Sequence, residues 1–167
     1  GHVSVLVHDI AILNITSNST GVYQGYSVNI TIIVQNQGNF VESFNVILYA
    51  NSSIIKNTTI VDLPPGDQTT LTFTWNTKNL TLGKYVLHGN VSIVSGEVDI
   101  SDNTFTDGSI AICNADFNND GVINTLDLRI AAIHFGQASN SPYDLNFDNI
   151  IDLDDLVIIV TNYGEKP

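Results

Sequence analysis

Residues 69–75 read TTLTFTW, in which threonines alternate with large apolar side chains. Successive side chains of a β-strand point to opposite faces, so this alternation predicts a half-buried strand with threonines on the solvent side. The same alternation recurs in residues 29–34 and 44–49. The apolar side chains expected on the inner face are Leu71, Phe73, Trp75, Ile30, Ile32, Val34, Phe44, Val46 and Leu48.

Turn-forming sequences separate these runs, notably in residues 36–39 and 64–67, and residues 1–112 contain no long helical period. The strands that the pattern predicts cover residues 4–15, 26–36, 42–50, 54–61, 68–76, 84–94 and 103–112. About seven short strands in a segment of this length are typical of an immunoglobulin-like fold. We therefore predict an all-β sandwich for residues 1–112.

The charge balance of the chain excludes some functions. There are 17 acidic and 5 basic residues, with a formal net charge of −12. Nucleic-acid binding needs basic patches, so we expect no nucleic-acid partner and favour a cation partner or an anionic surface. No run approaches the ~18 apolar residues of a membrane span. Cys113 is the only cysteine, which excludes an intrachain disulfide and predicts a buried, inert thiol.

The rest of the chain contains an internal duplication. Residues 116–127 read DFNNDGVINTLD, and residues 144–155 read DLNFDNIIDLDD. Each segment leads into an apolar stretch that ends at a glycine, Gly136 in the first repeat and Gly164 in the second. Each repeat is therefore predicted to be a loop followed by a helix of about ten residues that stops at glycine.

Both loops have the ligand pattern of an EF-hand. Calcium takes six to eight oxygen ligands, which a twelve-residue loop supplies from positions 1, 3, 5, 7, 9 and 12. Position 6 needs a left-handed backbone, which Gly121 and Asn149 can adopt. We therefore predict two calcium ions, with Mg²⁺ as a weak competitor. The expected ligands are Asp116, Asn118, Asp120, the carbonyl of Val122, Asn124 and Asp127, and then Asp144, Asn146, Asp148, the carbonyl of Ile150, Asp152 and Asp155.

The two repeats are expected to form one small domain. Ile123 and Ile151 occupy position 8 of their loops, and we expect them to pair in a short bridge and bury each other. Since the linker after the last predicted strand is short, we divide the chain into a sandwich of residues 1–112 and a small α-helical module of residues 113–167.

Several stretches of the predicted sandwich resemble the CARDB domain. They are VQNQGN at residues 34–39, LPPGD at 63–67, LTFTW at 71–75 and the pair Asp102-Asn103. The resemblance covers nearly all of residues 8–112. CARDB is described as a cell-adhesion-related module of bacterial and archaeal surface proteins, usually a spacer or stalk. The resemblance therefore implies an immunoglobulin-like fold in a secreted or cell-surface protein. It does not specify the function, because sandwich folds host many functions.

The duplicated module is similar to a dockerin over residues 116–165. Both loops end in aspartate rather than the glutamate of an ordinary EF-hand, and no helix is predicted before either loop. The resemblance implies a module that folds when calcium is bound and then docks on a cohesin domain. The positions that correspond to dockerin recognition residues are Thr125, Leu126, Ala132, Ile133, Gln137, Leu153, Asp154, Val160, Thr161 and Glu165.

The recognition positions have two interpretations. Leu126, Ile133, Leu153 and Val160 would give an apolar docking face on the surface of the module. Alternatively, these side chains pack in the core of the module or on the sandwich. The two repeats differ at these positions, which argues against a symmetric dual binding mode.

Acceptor sequences for N-glycosylation, Asn-x-Ser/Thr, are concentrated in the first 112 residues. They indicate a glycosylated extracellular surface, although threonine-rich strands also produce such sequences by accident. The acceptor positions are Asn14, Asn18, Asn29, Asn51, Asn57, Asn79 and Asn90.

The chain has no sequence signature of an enzyme, such as a nucleophile elbow, a phosphate-binding loop or paired catalytic carboxylates. Our leading hypothesis is a non-catalytic extracellular binding or adhesion protein whose calcium-loaded module docks to a cohesin-type partner. The alternative is a calcium-stabilised structural subunit of a cell-surface layer or filament, which self-associates without cohesin. A carbohydrate-binding module is a weaker third hypothesis.

Overall fold

Eight β-strands precede two short α-helices in the computed structural model, which describes residues 5–138 and 141–166. The strands are β1 (Ile10–Ser17), β2 (Gly21–Tyr23), β3 (Ser27–Asn36), β4 (Glu42–Ala50), β5 (Ser53–Leu63), β6 (Gln68–Asn76), β7 (Gly83–Val91) and β8 (Thr104–Cys113). The helices are α1 (Thr125–Ile133) and α2 (Leu153–Thr161). The predicted order of a β-rich segment followed by two helices is confirmed.

The described strands form two sheets, as a sandwich-like fold requires. The three-stranded sheet has the order β1-β3-β6, and the five-stranded sheet has the order β2-β8-β7-β4-β5. β1 runs antiparallel to β3, with Ile10 opposite Asn36. β2 runs parallel to β8, with Gly21 opposite Ala111.

The alternation seen in the sequence places apolar side chains in the core. In β3, Ile30, Ile32 and Val34 are fully buried, and the inward residues of β4 and β6 are buried or half-buried. The threonines of β6 between them are exposed. Each fully buried aliphatic side chain stabilises the fold by about 1.5–3 kcal/mol, so the predicted inner faces supply much of the folding free energy.

Two elements differ from the prediction. The first strand begins at Ile10 rather than at residue 4, which lies outside the described residues. Val5, Leu6 and Val7 are exposed and lie outside the strands, because a run of apolar residues forms a strand only where it packs and pairs with a neighbour. β2 was not predicted, since three residues are too few to show a period.

The chain groups into two compact units. Unit 1 comprises Gly1–Asn18, Val28–Trp75 and Tyr85–Ile110, and unit 2 comprises Ser19–Ser27, Asn76–Lys84 and Ala111–Pro167. Unit 2 therefore contains β2 and both helices. The domain limits 1–112 and 113–167 stay a prediction. Neither helix in the described part of the chain is long and apolar enough to cross a membrane.

Candidate calcium loops and docking face

The two loops have the same backbone turns. At position 6, Gly121 has φ 84° and Asn149 has φ 72°, so the predicted left-handed conformation is confirmed in both. At position 4, Asn119 and Phe147 are also left-handed, with φ 55° and 63°. Asparagine tolerates this conformation, whereas an aromatic residue adopts it only under constraint from its surroundings. The sequence contains no signal that predicts this second turn.

The first aspartate of each loop holds the following turn through backbone N–H groups. One carboxylate oxygen of Asp116 accepts from Asp120 N at 3.1 Å, and the other accepts from Gly121 N at 2.9 Å. The second loop repeats this arrangement around Asp144, again with distances of 3.1 and 2.9 Å. Both aspartates are buried, so each carboxylate lies inside its loop.

The last aspartate of each loop closes it and starts the helix. Asp127 is 0% exposed, and its carboxylate accepts from Phe117 N at 2.8 Å, Asn118 N at 3.2 Å and Asn124 N at 2.9 Å. Asn124 is the N-cap of α1 and forms a capping box with Asp127. Asp155 is also 0% exposed and accepts three equivalent bonds at 2.6, 3.2 and 2.8 Å.

Side chains at positions 3 and 5 support each other at the loop surface. The side-chain N–H of Asn118 donates to Asp120 Oδ2 at 2.8 Å, and Val122 N donates to Asp120 Oδ1 at 3.0 Å. The Asn118 hydrogen bond and then the Val122 N–H lower the pKa of Asp120 from its ordinary value. The exposed carboxylate of Asp120 is therefore ionised at neutral pH.

These loops contain the oxygen types that calcium prefers. Four buried aspartates, two per loop, supply carboxylate oxygens, which are among the ligands that calcium takes. Within residues 5–138 and 141–166, however, no three His, Cys, Asp or Glu side chains are gathered to hold a metal ion. The predicted ligand set also uses amide and backbone carbonyl oxygens. The donor chemistry fits calcium, and the assignment of ligands stays a prediction.

Ile123 and Ile151 are both buried, but the predicted bridge between them is wrong. Ile123 exchanges backbone hydrogen bonds of 2.9 and 3.0 Å with residues 164–165, which follow α2. Ile151 exchanges bonds of 2.7 and 3.1 Å with residues 136–137, which follow α1. Each loop is therefore fastened to the segment that leaves the helix of the other repeat.

Residues of β2 belong to the same unit as the loops. Ala115 N donates to the hydroxyl oxygen of Tyr23 at 2.7 Å, and burial raises the pKa of that hydroxyl. The ring of Phe147 lies against Gly21, where an added Cβ would come within 2.0 Å of a ring carbon. The apolar cluster of this unit consists of Ala115, Ile123, Ala131, Leu145 and Ile159, with Tyr23, Cys113, Phe117, Leu128, Leu156 and Ile158 packed against it.

The side chains predicted to bind a partner are on the surface of unit 2. Leu126, Ile133, Leu153 and Val160 are exposed by 52%, 67%, 64% and 49%. The alternative interpretation, in which they pack in the core of the module, is therefore wrong. Thr125 and Asp154 are exposed as well. A shallow groove beside α1, which no sequence pattern predicts, is lined by Asn118, Leu126, Arg129, Ile130 and Ile133.

The acceptor asparagines of the strand-rich segment differ in accessibility. Asn18, Asn29, Asn51, Asn57 and Asn79 are exposed, whereas Asn14 and Asn90 are half-buried. The expected outward position of Asn29 in β3 is confirmed. Glycan attachment itself stays a prediction.

Comparison with known proteins identifies the strand-rich segment. The model of the CARDB family matches residues 7–109. A solved CARDB domain of the PF1109 protein from Pyrococcus furiosus, in complex with di-metal ions, is 23% identical with a TM-score of 0.57, over 67% of this chain and 99% of that one. A domain of a "putative cell surface protein" from Methanosarcina acetivorans is 24% identical with a TM-score of 0.51, over 64% of this chain and 93% of that one.

The structural likeness extends to part of an enzyme. The chain covers 15% of a β-glucosidase, EmGH1 from Erythrobacter marinus, at 11% identity and a TM-score of 0.50. At these identities the solved structures show the fold alone. No curated protein matches the chain. Because the family match ends at residue 109, the resemblance of residues 116–165 to a dockerin stays a prediction.

Proposed function

Because the chain belongs to the CARDB family, we propose that it is a non-catalytic, extracellular binding protein of the cell surface. In this proposal the sandwich is a spacer, and residues 113–167 are a dockerin-like module that attaches it to a cohesin-type partner. The observation that carries the proposal is the matched pair of loops closed by Asp127 and Asp155. Each of these aspartates is buried and joins a loop to the first turn of a helix.

Calcium is the first step of the proposed function. Each loop would hold one ion through its carboxylate, amide and carbonyl oxygens, with Asp116 or Asp144 at position 1 and Asp127 or Asp155 at position 12. Since the carboxylates of one loop repel each other, the bound ion would stabilise the folded module. Calcium would then act as a structural ion rather than as a signal.

Docking is the second step. Leu126 and Ile133 on α1 and Leu153 and Val160 on α2 expose apolar side chains that a partner would cover. Arg129 lines the groove beside the α1 side chains, and the chain has few other basic residues. An apolar contact with a polar rim is the usual anatomy of a protein interface.

Calcium binding can be tested by isothermal calorimetry on the full chain. We expect two bound ions at micromolar concentrations, with Asp116→Ala abolishing one and Asp144→Ala abolishing the other. Asp107→Ala is the matched control, because Asp107 is an exposed carboxylate in β8, outside both loops. If Asp116→Ala and Asp144→Ala each still bind two calcium ions, the calcium proposal is wrong.

Docking can be tested separately by surface plasmon resonance against a panel of purified cohesin domains. Leu126→Glu and Leu153→Glu place a charge in the proposed contact and are expected to weaken binding at least tenfold, as loss of a buried interface anchor does. Val98→Glu is the control, since Val98 is 89% exposed and lies in unit 1. If calcium binds and no cohesin does, the attachment role is wrong and the calcium role survives.

A second candidate is a calcium-stabilised structural subunit that self-associates. The observation that favours it is further exposed apolar surface in unit 2 outside the recognition positions, at Phe135, Ile150 and Val157. Light scattering with and without calcium would decide between the two. Calcium-dependent growth in mass without cohesin supports the structural role, and a monomer in both conditions excludes it.

A further inference from the structure

Three buried oxygens in unit 1 lack a hydrogen-bond partner. Among the residues that the structure describes, the unpartnered buried side-chain atoms are the Oδ1 atoms of Asp9, Asp102 and Asn103. Asn103 is only 3% exposed. Buried polar atoms in folded proteins are nearly always hydrogen-bonded, so each unpartnered oxygen needs an explanation. All three are acceptors in this state, and they cannot satisfy one another.

Glu97 connects the backbone next to Asp9 with the side chain of Asn103. One of its carboxylate oxygens accepts from Ile10 N, next to Asp9, at 2.8 Å. The other accepts from the side-chain N–H of Asn103 at 3.1 Å. Ile12 N donates to the carbonyl oxygen of Asp102 at 2.9 Å. The start of β1 and the residues before β8 therefore meet around Glu97.

Glu97 cannot donate a hydrogen bond to the three unpartnered oxygens. Its carboxylate is an acceptor and already receives Ile10 N, Val94 N and the Asn103 amide. Because the amide nitrogen of Asn103 donates to Glu97, its Oδ1 is necessarily the atom left free. The unpartnered oxygens are therefore surrounded by other acceptors, and a hydrogen-bond donor or a positive charge is what would satisfy them.

The electrostatic surroundings are negative. Burial first, and then the charges of Asp102, Asp99 and Glu97, raise the pKa of Asp9 from its ordinary value. Burial and the charges of Asp99 and Glu97 likewise raise the pKa of Asp102. A cation among these groups would lower this repulsion, and hard oxygen ligands favour calcium over softer metals.

We propose that the side-chain oxygens of Asp9, Asp102 and Asn103 bind one calcium ion, at a third site in unit 1 separate from the two loops. Water would fill the remaining coordination positions. Only two of the ligands are carboxylates, in agreement with the absence of a group of three acidic, imidazole or thiol ligands among the described residues. Few charged ligands mean weak binding, with a dissociation constant of about 10⁻⁴–10⁻³ M, as in extracellular calcium modules.

The site would tie the entry of β1 to the entry of β8. Asp9 immediately precedes the first strand, and Asp102 and Asn103 immediately precede the last one. An ion between them would hold the two strand ends together and so stiffen this end of unit 1. The ion would stiffen the strand ends only at extracellular calcium concentrations, because lower calcium concentrations leave so weak a site empty.

Residue-resolved NMR of the ¹⁵N-labelled full chain tests the proposal. Titration with calcium up to about 10 mM, tenfold above the weakest expected dissociation constant, should shift the amide signals of residues 9–12 and 101–103. Paramagnetic Mn²⁺ should broaden the same signals. These signals are separate from those of residues 116–127 and 144–155, so the third site can fail while the loops bind, and the reverse.

Matched variants distinguish a site from a general acidic surface. Asp9→Asn and Asp102→Asn should each raise the apparent dissociation constant at least tenfold, while the loop signals respond as before. Asp99→Asn removes the same charge, but Asp99 Oδ1 is held by Ser101, so its effect should be less than threefold. An equal loss in all three variants would show a diffuse electrostatic effect and overturn the site.

The wild-type chain provides a test that does not depend on the variants folding. If residues 9–12 and 101–103 show no calcium-dependent shift at about 10 mM, the proposal is wrong. A side-chain carboxyl ¹³C titration on a ¹³C-labelled wild-type chain identifies the competing explanation, a proton shared between Asp9 and Asp102. A calcium-insensitive titration of that pair would overturn the ion in favour of the proton.

Discussion

Gly136 donates a backbone hydrogen bond of 2.7 Å to the carbonyl oxygen of Ile151. Gly136 follows α1 of the first repeat, whereas Ile151 lies in the loop of the second. Gly164 and Ile123 form the reciprocal bond at 2.9 Å. The two repeats therefore support each other, because each loop depends on where the other helix ends.

This exchange predicts coupling between the two calcium loops. Asp144→Ala should remove the ion of the second loop and also weaken calcium binding at the first loop by about fivefold or more, the lower range of common site–site coupling. The physical reason is that a disordered second loop no longer anchors residues 136–137. Calcium titration followed by the amide signals of residues 116–127 measures the effect. An unchanged first-loop affinity would show that the loops are independent.

Asp127→Ala should destabilise unit 2 even without a ligand. The substitution removes the acceptor of three backbone N–H groups and half of the capping box. We expect a loss of about 1–3 kcal/mol in the free energy of unfolding. Urea denaturation in chelator, followed by the amide signals of α1, provides the measurement. Asp154→Ala is the control, since Asp154 is an exposed carboxylate in α2, and an equal loss there would contradict the explanation.

Replacement of Gly21 should be destabilising because the ring of Phe147 lies against it. An alanine Cβ at position 21 would overlap the ring, so Gly21→Ala should cost about 1–3 kcal/mol. In a Phe147→Ala background the ring is gone, and the same substitution should cost much less. Thermal unfolding of the four chains in this double-mutant cycle gives the coupling energy. Additive effects would mean that the ring does not press on Gly21.

Cys113 should be unreactive while unit 2 is folded. Burial, and then the charge of Asp144, raise the pKa of its thiol to about 12. The thiol is protonated below that pH and the thiolate is the nucleophile, so reaction with a disulfide reagent at pH 8 should be slower than for a free cysteine by about three orders of magnitude. The rate should rise with pH and approach the ordinary value in denaturant. Rapid labelling of the folded chain would contradict the burial of this thiol.

Glycan occupancy should follow exposure. In a secreting host that attaches N-linked glycans, Asn18, Asn29, Asn51, Asn57 and Asn79 are expected to be modified, because their side chains reach solvent. Asn14 and Asn90 should be modified poorly, since they are half-buried within strands. Glycopeptide mass spectrometry measures each position. Equal occupancy at all positions would mean that modification precedes folding.

Local patterns in the sequence predicted the strands well. The alternation in residues 29–34 lies within β3, and its inward side chains are buried, because side-chain direction along a strand depends only on neighbouring residues. The prediction failed for Val5 and Leu6, which have apolar side chains and no strand pairing to bury them. It also missed β2, whose three residues pair with a segment about 90 positions away.

The sequence alone determined the duplicated loops, with Asp116 and Asp144 at their first positions, since every expected ligand of a loop lies within twelve residues. It also determined the left-handed turn at Asn149, a property of the residue and its loop. Only the tertiary structure decided that Ile151 bonds to Gly136 and that Glu97 accepts from both Ile10 and Asn103. These contacts close long stretches of chain, and the folded sheets and loops, rather than any local pattern, determine which distant groups become neighbours.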